Sequence, residues 1–136
     1  MVRYFYALIF ALSLNADILV VATNPKLGVD RLSEDTIASL YLDKRHTING
    51  CRVVLLNLSF DSSLRRVFEE QVLKKSRQEL ERYWLRAHFR GHRPPKVVES
   101  EEAAALYIKK IPYAIGYMQK DIAKKYDLKI VYKLEF

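Results

Sequence analysis

Two unbroken apolar runs and one alternating run set the frame of this chain. Ile18 to Thr23 (ILVVAT) and Val53 to Leu56 (VVLL) are short and rich in β-branched residues, the pattern of strands covered on both faces. Val53 to Leu56 is expected to be a central strand. Near the C-terminus Leu128, Ile130, Tyr132, Leu134 and Phe136 alternate with Lys129, Val131, Lys133 and Glu135, the period-two signature of an edge strand with one wet face. Ala114 to Met118 (AIGYM) reads as a further short strand, in which Gly116 implies a bulge or the close approach of another backbone.

Between these runs the apolar spacing becomes helical. Ser33 caps a helix with Glu34 and Asp35 in its first turn, Leu32 placed to staple against Ile37, and Ile37, Leu40 and Tyr41 on one face; it ends near Leu42. Asp43 to Gly50 is polar and turn-rich. Leu64, Val67, Phe68 and Val72 share the face of a second helix. Ser76-Arg77-Gln78-Glu79 is a capping box opening a third, whose Leu80, Tyr83, Trp84, Ala87 and His88 stripe is expected against the core. Gly91 stops that helix, and Arg93-Pro94-Pro95 must be extended. Ser100-Glu101-Glu102 starts a fourth, with Ala104, Ile108 and Ile111 buried and Pro112 as its end, and Lys120 to Tyr126 is a short fifth. The order β, α, β, α, α, α, β, α, β predicts an α/β domain with a mixed β-sheet flanked by helices.

The stretch from Val53 to Val72 carries the sharpest functional lead. A strand that runs through the polar turn Asn57 to Ser63 into a helix leaves unpaired N–H groups and the positive end of the helix dipole at the sheet edge, a ready anion site. The candidate anion-binding residues are Ser59, Ser62, Ser63, Leu64 and Arg65, with the N–H groups of Ser63 and Leu64 as donors, the serine hydroxyls beside them and Arg65 adding charge. The same Asp61, Ser62 and Ser63 would equally serve as plain helix caps.

Composition narrows the partners. The 136 residues suit one domain, and being half apolar they can bury a core without disulfides or metal. A formal charge of +7 favours anionic partners, whether small oxyanions, acidic headgroups or nucleic acid. The basic residues are interleaved with acids and form no dense block, so nucleic acid is not the expected partner. Arg86, Arg90, His92, Arg93 and Lys96 make the most basic local cluster, readable as a solvated helix end or as a binding patch. The single cysteine, Cys51, excludes an intrachain disulfide and a cysteine-rich metal site, and is expected as a small buried hydrophobe at the start of the Val53 strand. His46, His88 and His92 show no spacing that suggests a base for a catalytic thiol. There is no glycine-rich phosphate loop and no paired-carboxylate signature, so no enzyme activity, cofactor or metal is expected.

At the N-terminus Arg3, the eleven-residue apolar run Tyr4 to Leu14 and the Leu14-Asn15-Ala16 junction form a secretory signal pattern. Residues 1–16 are therefore expected to be a cleaved signal peptide and 17–136 the mature domain, located in the periplasm. A membrane-retained form or an internal first strand is the alternative reading. Eleven residues fall short of the about 20 that a spanning helix needs, so the chain is not expected to span a membrane.

Four segments in order, LSEDTIASLYLDK, NLSFDSSLRRVFEEQVL, YWLRAHFRGHRPPKVVES and IPYAIGYM, resemble the phosphate-specific periplasmic substrate-binding proteins of ABC transporters. The resemblance implies a single lobe of a type II periplasmic-binding-protein-like fold: it covers what would be the second of two lobes hinged around an anion, flanked by one strand on each side. It implies phosphate or a similar oxyanion as a weak ligand, and an envelope protein or transporter as a partner. The family's Ser-Gly-Thr at the phosphate-binding helix start stands here as Ser62-Ser63-Leu64, which keeps a hydroxyl and the backbone donors but not the threonine. An arginine of the family would fall near Asn57 to Ser59, none of which is basic, and Asp61 adds a like charge. The competing expectation is an interaction module that kept the lobe and lost the ligand.

Overall fold

A computed structural model describes residues 17–136, so the signal-peptide expectation for 1–16 lies outside the described residues. Strand β1 (Ile18–Thr23) is followed by α1 (Glu34–Tyr41), a hairpin of β2 (Thr47–Ile48) and β3 (Cys51–Arg52), then β4 (Val54–Asn57), α2 (Ser63–Gln71) and α3 (Arg77–His88). The chain continues through β5 (Lys96–Val97), α4 (Glu101–Lys110), β6 (Ala114–Gln119), α5 (Lys120–Lys125) and β7 (Lys129–Glu135). Five strands form one mixed sheet in the order β5-β4-β6-β1-β7. β4 runs parallel to β5 and β6, whereas β1 is antiparallel to β6 and β7.

Alternation along the inner strands divides the core into two layers. Leu19, Val21, Ile115 and Tyr117 face Ile37, Leu40 and Tyr41 of α1 and Leu64 and Phe68 of α2. Val20, Ala22, Ala114 and Met118 face Ala104, Ala105 and Ile108 of α4 and Ala123 of α5. Both faces are covered, which is why β1 reads as an unbroken apolar run and why Ala114 to Met118 of β6 are all buried. Gly116 is approached by side chains of the second layer rather than by another backbone or a bulge: a Cβ there would lie 3.3 Å from Ile108 Cδ1 and 3.5 Å from Leu56 Cβ.

Several sequence expectations change. Val53 precedes its strand, and β4 is not central: only the two-residue β5 lies outside it, so Val54 and Leu55 are half-buried. Cys51 belongs to the small hairpin and is only partly covered. The turn-rich Asp43 to Gly50 segment contains β2. β7 does lie at a sheet edge, but a bulge opposite Val21 and Ala22 interrupts its alternation. Ile130 therefore packs on the α4 layer, while Val131, Tyr132 and Leu134 pack on the α1 layer. On α3 only Leu80 and Ala87 of the expected stripe are buried; Tyr83 and Trp84 are half-buried and His88 is exposed. α3 lies at the rim of the domain rather than across its core. No helix among the described residues is long and apolar enough to cross a membrane.

Candidate functional site

The end of β4 is fixed by an aromatic block. Phe68 stacks on Tyr117 with ring centroids 4.0 Å apart, and Tyr41 meets Phe68 edge-on at 4.7 Å. Each tyrosine spends its hydroxyl on the backbone and side chains at the strand terminus. Tyr41 donates to the Leu56 carbonyl at 2.7 Å, and Tyr117 donates to Asn57 Oδ1 while accepting from the Leu58 N–H at 3.3 Å. Burial pushes both phenols well above their ordinary range, so they stay protonated donors. Asn57 and Leu58, the residues that launch the turn, are thereby held from below.

The turn itself is built from short polar side chains. The Ser62 N–H bonds the Ser59 carbonyl at 2.9 Å, and Ser59 Oγ donates to Asp61 Oδ1 at 2.6 Å. That hydroxyl, with the residue's own N–H, holds the Asp61 carboxyl below its ordinary value, so it is an anion at neutral pH. Ser62 is the N-cap, extended at φ −65° and ψ 124°, and its Oγ accepts from the Arg65 N–H at 3.2 Å. The Arg66 N–H returns to the Ser62 carbonyl at 3.3 Å, so among the described hydrogen bonds the N–H groups of Ser63 and Leu64 have no partner. They are the donors expected from the sequence. Ser63 is exposed, whereas the Leu64 side chain is buried, so Leu64 offers only its backbone.

Arg65 does not point at the helix terminus. Its Nε lies 3.2 Å from Glu69 Oε2, and its Nη1 donates to the Leu58 carbonyl at 3.0 Å. A guanidinium thus stands beside the Asn57 to Ser59 segment, although no basic residue occurs within it. Glu69, only 3 % exposed, takes a second arginine on its other oxygen, Arg77 Nε at 2.8 Å. The Arg77 guanidinium lies 3.9 Å over the Phe60 ring. Together with Asn57, Trp84, Pro94 and Pro95 these residues line a cavity of about 230 Å³ beside the turn.

The structure places Ser59, Ser62, Ser63 and Leu64 around one helix end; Arg65 belongs to the same first turn, but its guanidinium turns to Glu69 and the Leu58 carbonyl. It also adds Phe60, Glu69 and Arg77, which the sequence reading missed. Glu69 was legible only as the i+4 partner of Arg65; its contact with Arg77 depends on how α3 returns. The chemistry available is polar capture of a small anion by two N–H groups and serine hydroxyls, with Arg65 and Arg77 already sharing the Glu69 carboxylate. Among the described residues no group of three or more His, Cys, Asp or Glu could hold a metal ion.

No protein-family model and no curated protein sequence matches the chain. Solved structures do share its fold, among them phosphate transport proteins of ABC systems. An ABC-type phosphate transport receptor from Vibrio cholerae superposes with a TM-score of 0.67 at 15% identity, covering 85% of this chain and 45% of that one. A Clostridium perfringens protein assigned as a phosphate ABC transporter substrate-binding protein, with bound phosphate, gives 0.69 at 17% identity over 85% and 44%. PstS from Borrelia burgdorferi gives 0.65 at 20% identity over 85% and 46%. The chain thus spans less than half the length of these structures, and the likeness is one of fold, as the sequence resemblance implied.

Proposed function

We propose that residues 17–136 form a secreted, non-catalytic lobe related to the phosphate receptors, which takes phosphate or a similar oxyanion weakly at the N-terminus of α2. The observation that carries this reading is the pair of unpartnered N–H groups on Ser63 and Leu64, set beside the Ser62 and Ser63 hydroxyls in a fold shared with phosphate-holding proteins. Ser59 supports the turn through Asp61, and Arg65 supplies positive potential from the first turn of the helix. All these groups approach an anion from one side. Its other side stays hydrated, where each charged contact contributes about 1 kcal/mol or less. Asp61 opposes binding by an amount similar to the ~0.3–1 kcal/mol that the helix dipole offers. The expected affinity is millimolar, about −4 kcal/mol. A second wall from another chain would raise it.

A second reading is favoured by one observation: Glu69 already engages both Arg65 and Arg77 beside the site. On that reading the lobe has given up its ligand and serves as an interaction module for an envelope protein or transporter. Calorimetric titration of the protein with phosphate separates the two. Saturable one-to-one binding in the millimolar range supports the receptor-like reading, and the absence of heat up to tens of millimolar favours the module. The secreted, periplasmic location rests on the Arg3 to Ala16 pattern. Mass spectrometry of the protein from its producing cell is expected to find an N-terminus at Asp17, and an intact Met1 as the main species contradicts it.

A further inference from the structure

The cations of α3 are placed quite differently from Arg65 and Arg77. Lys44, Lys75, Arg82, Arg86 and Arg90 line a groove of about 520 Å³ floored by Tyr83, with Glu79 as its one acid. The Glu79 carboxylate is engaged by the capping box, accepting from the Ser76 N–H. Among the described residues none of the five cations stands within ion-pair distance of a carboxylate. Five cations against the single Glu79 carboxylate leave the concavity net positive, a potential that a partner of opposite charge relieves.

Charge alone would fit any polyanion, but the same helix carries a second feature. Leu85 is 65% exposed and Phe89 82% exposed, one turn apart and beside the Arg82, Arg86, Arg90 row. At 100° per residue Phe89 and Arg82 lie near the centre of the outward face, Leu85 to one side and Arg86 to the other, opposite the buried Leu80 and Ala87. A soluble phosphate compound gains nothing from an outward Phe and Leu. A bilayer surface uses both features, since arginines meet the lipid phosphates while the apolar pair enters the headgroup boundary.

We propose that α3 docks the protein on a membrane surface rich in anionic phospholipid. The lipid phosphates are received in the Lys44, Lys75, Arg82, Arg86 and Arg90 groove, and Leu85 and Phe89 are inserted beside them. The surface is separate from the α2 N-terminus and does not depend on what binds there. Binding is peripheral and salt-sensitive, because the charged contacts are exposed and screened within about 8 Å at physiological ionic strength.

The test is co-sedimentation of the full chain with vesicles of phosphatidylcholine, with and without phosphatidylglycerol. Because Tyr4 to Leu14 are themselves apolar, the readout is the difference between parent and variants. Arg86→Gln with Arg90→Gln should weaken binding to the anionic vesicles roughly twentyfold, at about fivefold per cation, and Phe89→Ser by about tenfold. Lys109→Gln with Lys110→Gln, on α4 across the sheet, should change it little. All five positions are exposed, and unchanged thermal unfolding of each variant certifies its fold. Phe89→Trp in a Trp84→Phe background supplies a local reading, a blue-shifted emission on anionic vesicles only. Equal loss in the α3 and α4 pairs, equal binding to both vesicle types, or an unshifted Trp emission overturns the proposal. Retained binding by Phe89→Ser also overturns it, in favour of a soluble polyanion.

Discussion

Arg77 Nε donates to Glu69 Oε1 at 2.8 Å, although the two residues lie on different helices, and the same carboxylate receives Arg65 on its second oxygen. The bridge ties α3 to α2 and keeps two guanidinium groups from turning toward the α2 N-terminus. Glu69→Gln removes the charge while keeping the shape. It should cost about 2–3 kcal/mol of stability, because two largely buried arginines lose their counter-charge. It should also raise phosphate affinity severalfold. Urea unfolding and a phosphate titration of the same variant check both halves, and a variant as stable as the parent with unchanged affinity contradicts the bridge's role.

A second clamp gives a pH signature. Tyr132 Oη donates to Glu34 Oε2 at 2.6 Å, and Lys74 Nζ lies 3.0 Å from Glu34 Oε1. The tyrosine bond first, then the lysine, hold the Glu34 carboxyl below its ordinary value, while burial and the Glu34 bond push the Tyr132 phenol up to about 12. A lowered carboxyl contributes stability that is complete above its unfolded value of about 4.3 and lost as pH falls through the folded value. A raised phenol contributes stability that is complete below about 10 and lost as pH rises toward the folded value. Urea midpoints should therefore fall below about pH 4 and again above about pH 10. Glu34→Gln should flatten the acid limb, and an unchanged acid slope in that variant contradicts the assignment.

Gly116 is a packing device of the α4 layer. A methyl group placed 3.3 Å from Ile108 Cδ1 forces that side chain to shift by a few tenths of an ångström. Gly116→Ala should cost about 1–2 kcal/mol, read as a lowered urea midpoint with unchanged slope. Pairing it with Ile108→Val should recover part of the loss; failure to do so would place the strain elsewhere.

Trp84 tests where sequence periodicity misleads. It shares helical spacing with buried residues, yet it is half-buried, meets the Tyr83 ring edge-on at 5.0 Å and lines the cavity with Pro94 and Pro95. Trp84→Ala should cost about 1–2 kcal/mol, below the ~3–5 kcal/mol of a fully buried aromatic. A larger loss of stability would restore the core assignment.

The parts of this fold that the sequence made legible are the local ones. Ser33, Ser76 and Ser100 each cap the helix that their position announces, and Ser62 is the cap among the three candidates Asp61, Ser62 and Ser63, because a cap is decided within three residues. The unbroken run of β1 announces a strand covered on both faces, whereas the similar run at Val53 to Leu56 belongs to a strand with only the two-residue β5 outside it. What stayed hidden depends on contacts distant in sequence. The bulge opposite Val21 reverses which residues of β7 face each layer, and the Glu69 carboxylate is buried only because Arg77 arrives from a separate helix. The candidate anion donors were legible because a strand, a turn and a helix start are contiguous. The commitment of Arg65 to Glu69 and Leu58 was not, since it is a choice of rotamer among partners brought together by folding.

The most direct test of the α2 site is a phosphate titration of isotope-labelled protein followed by the amide resonances. The account predicts progressive shifts of the Ser63 and Leu64 N–H signals with half-saturation in the millimolar range. The response should be stronger in Asp61→Asn and weaker in Ser62→Ala with Ser63→Ala. Shifts confined to Arg86 through Lys96, with Ser62 to Arg65 unmoved, would contradict it.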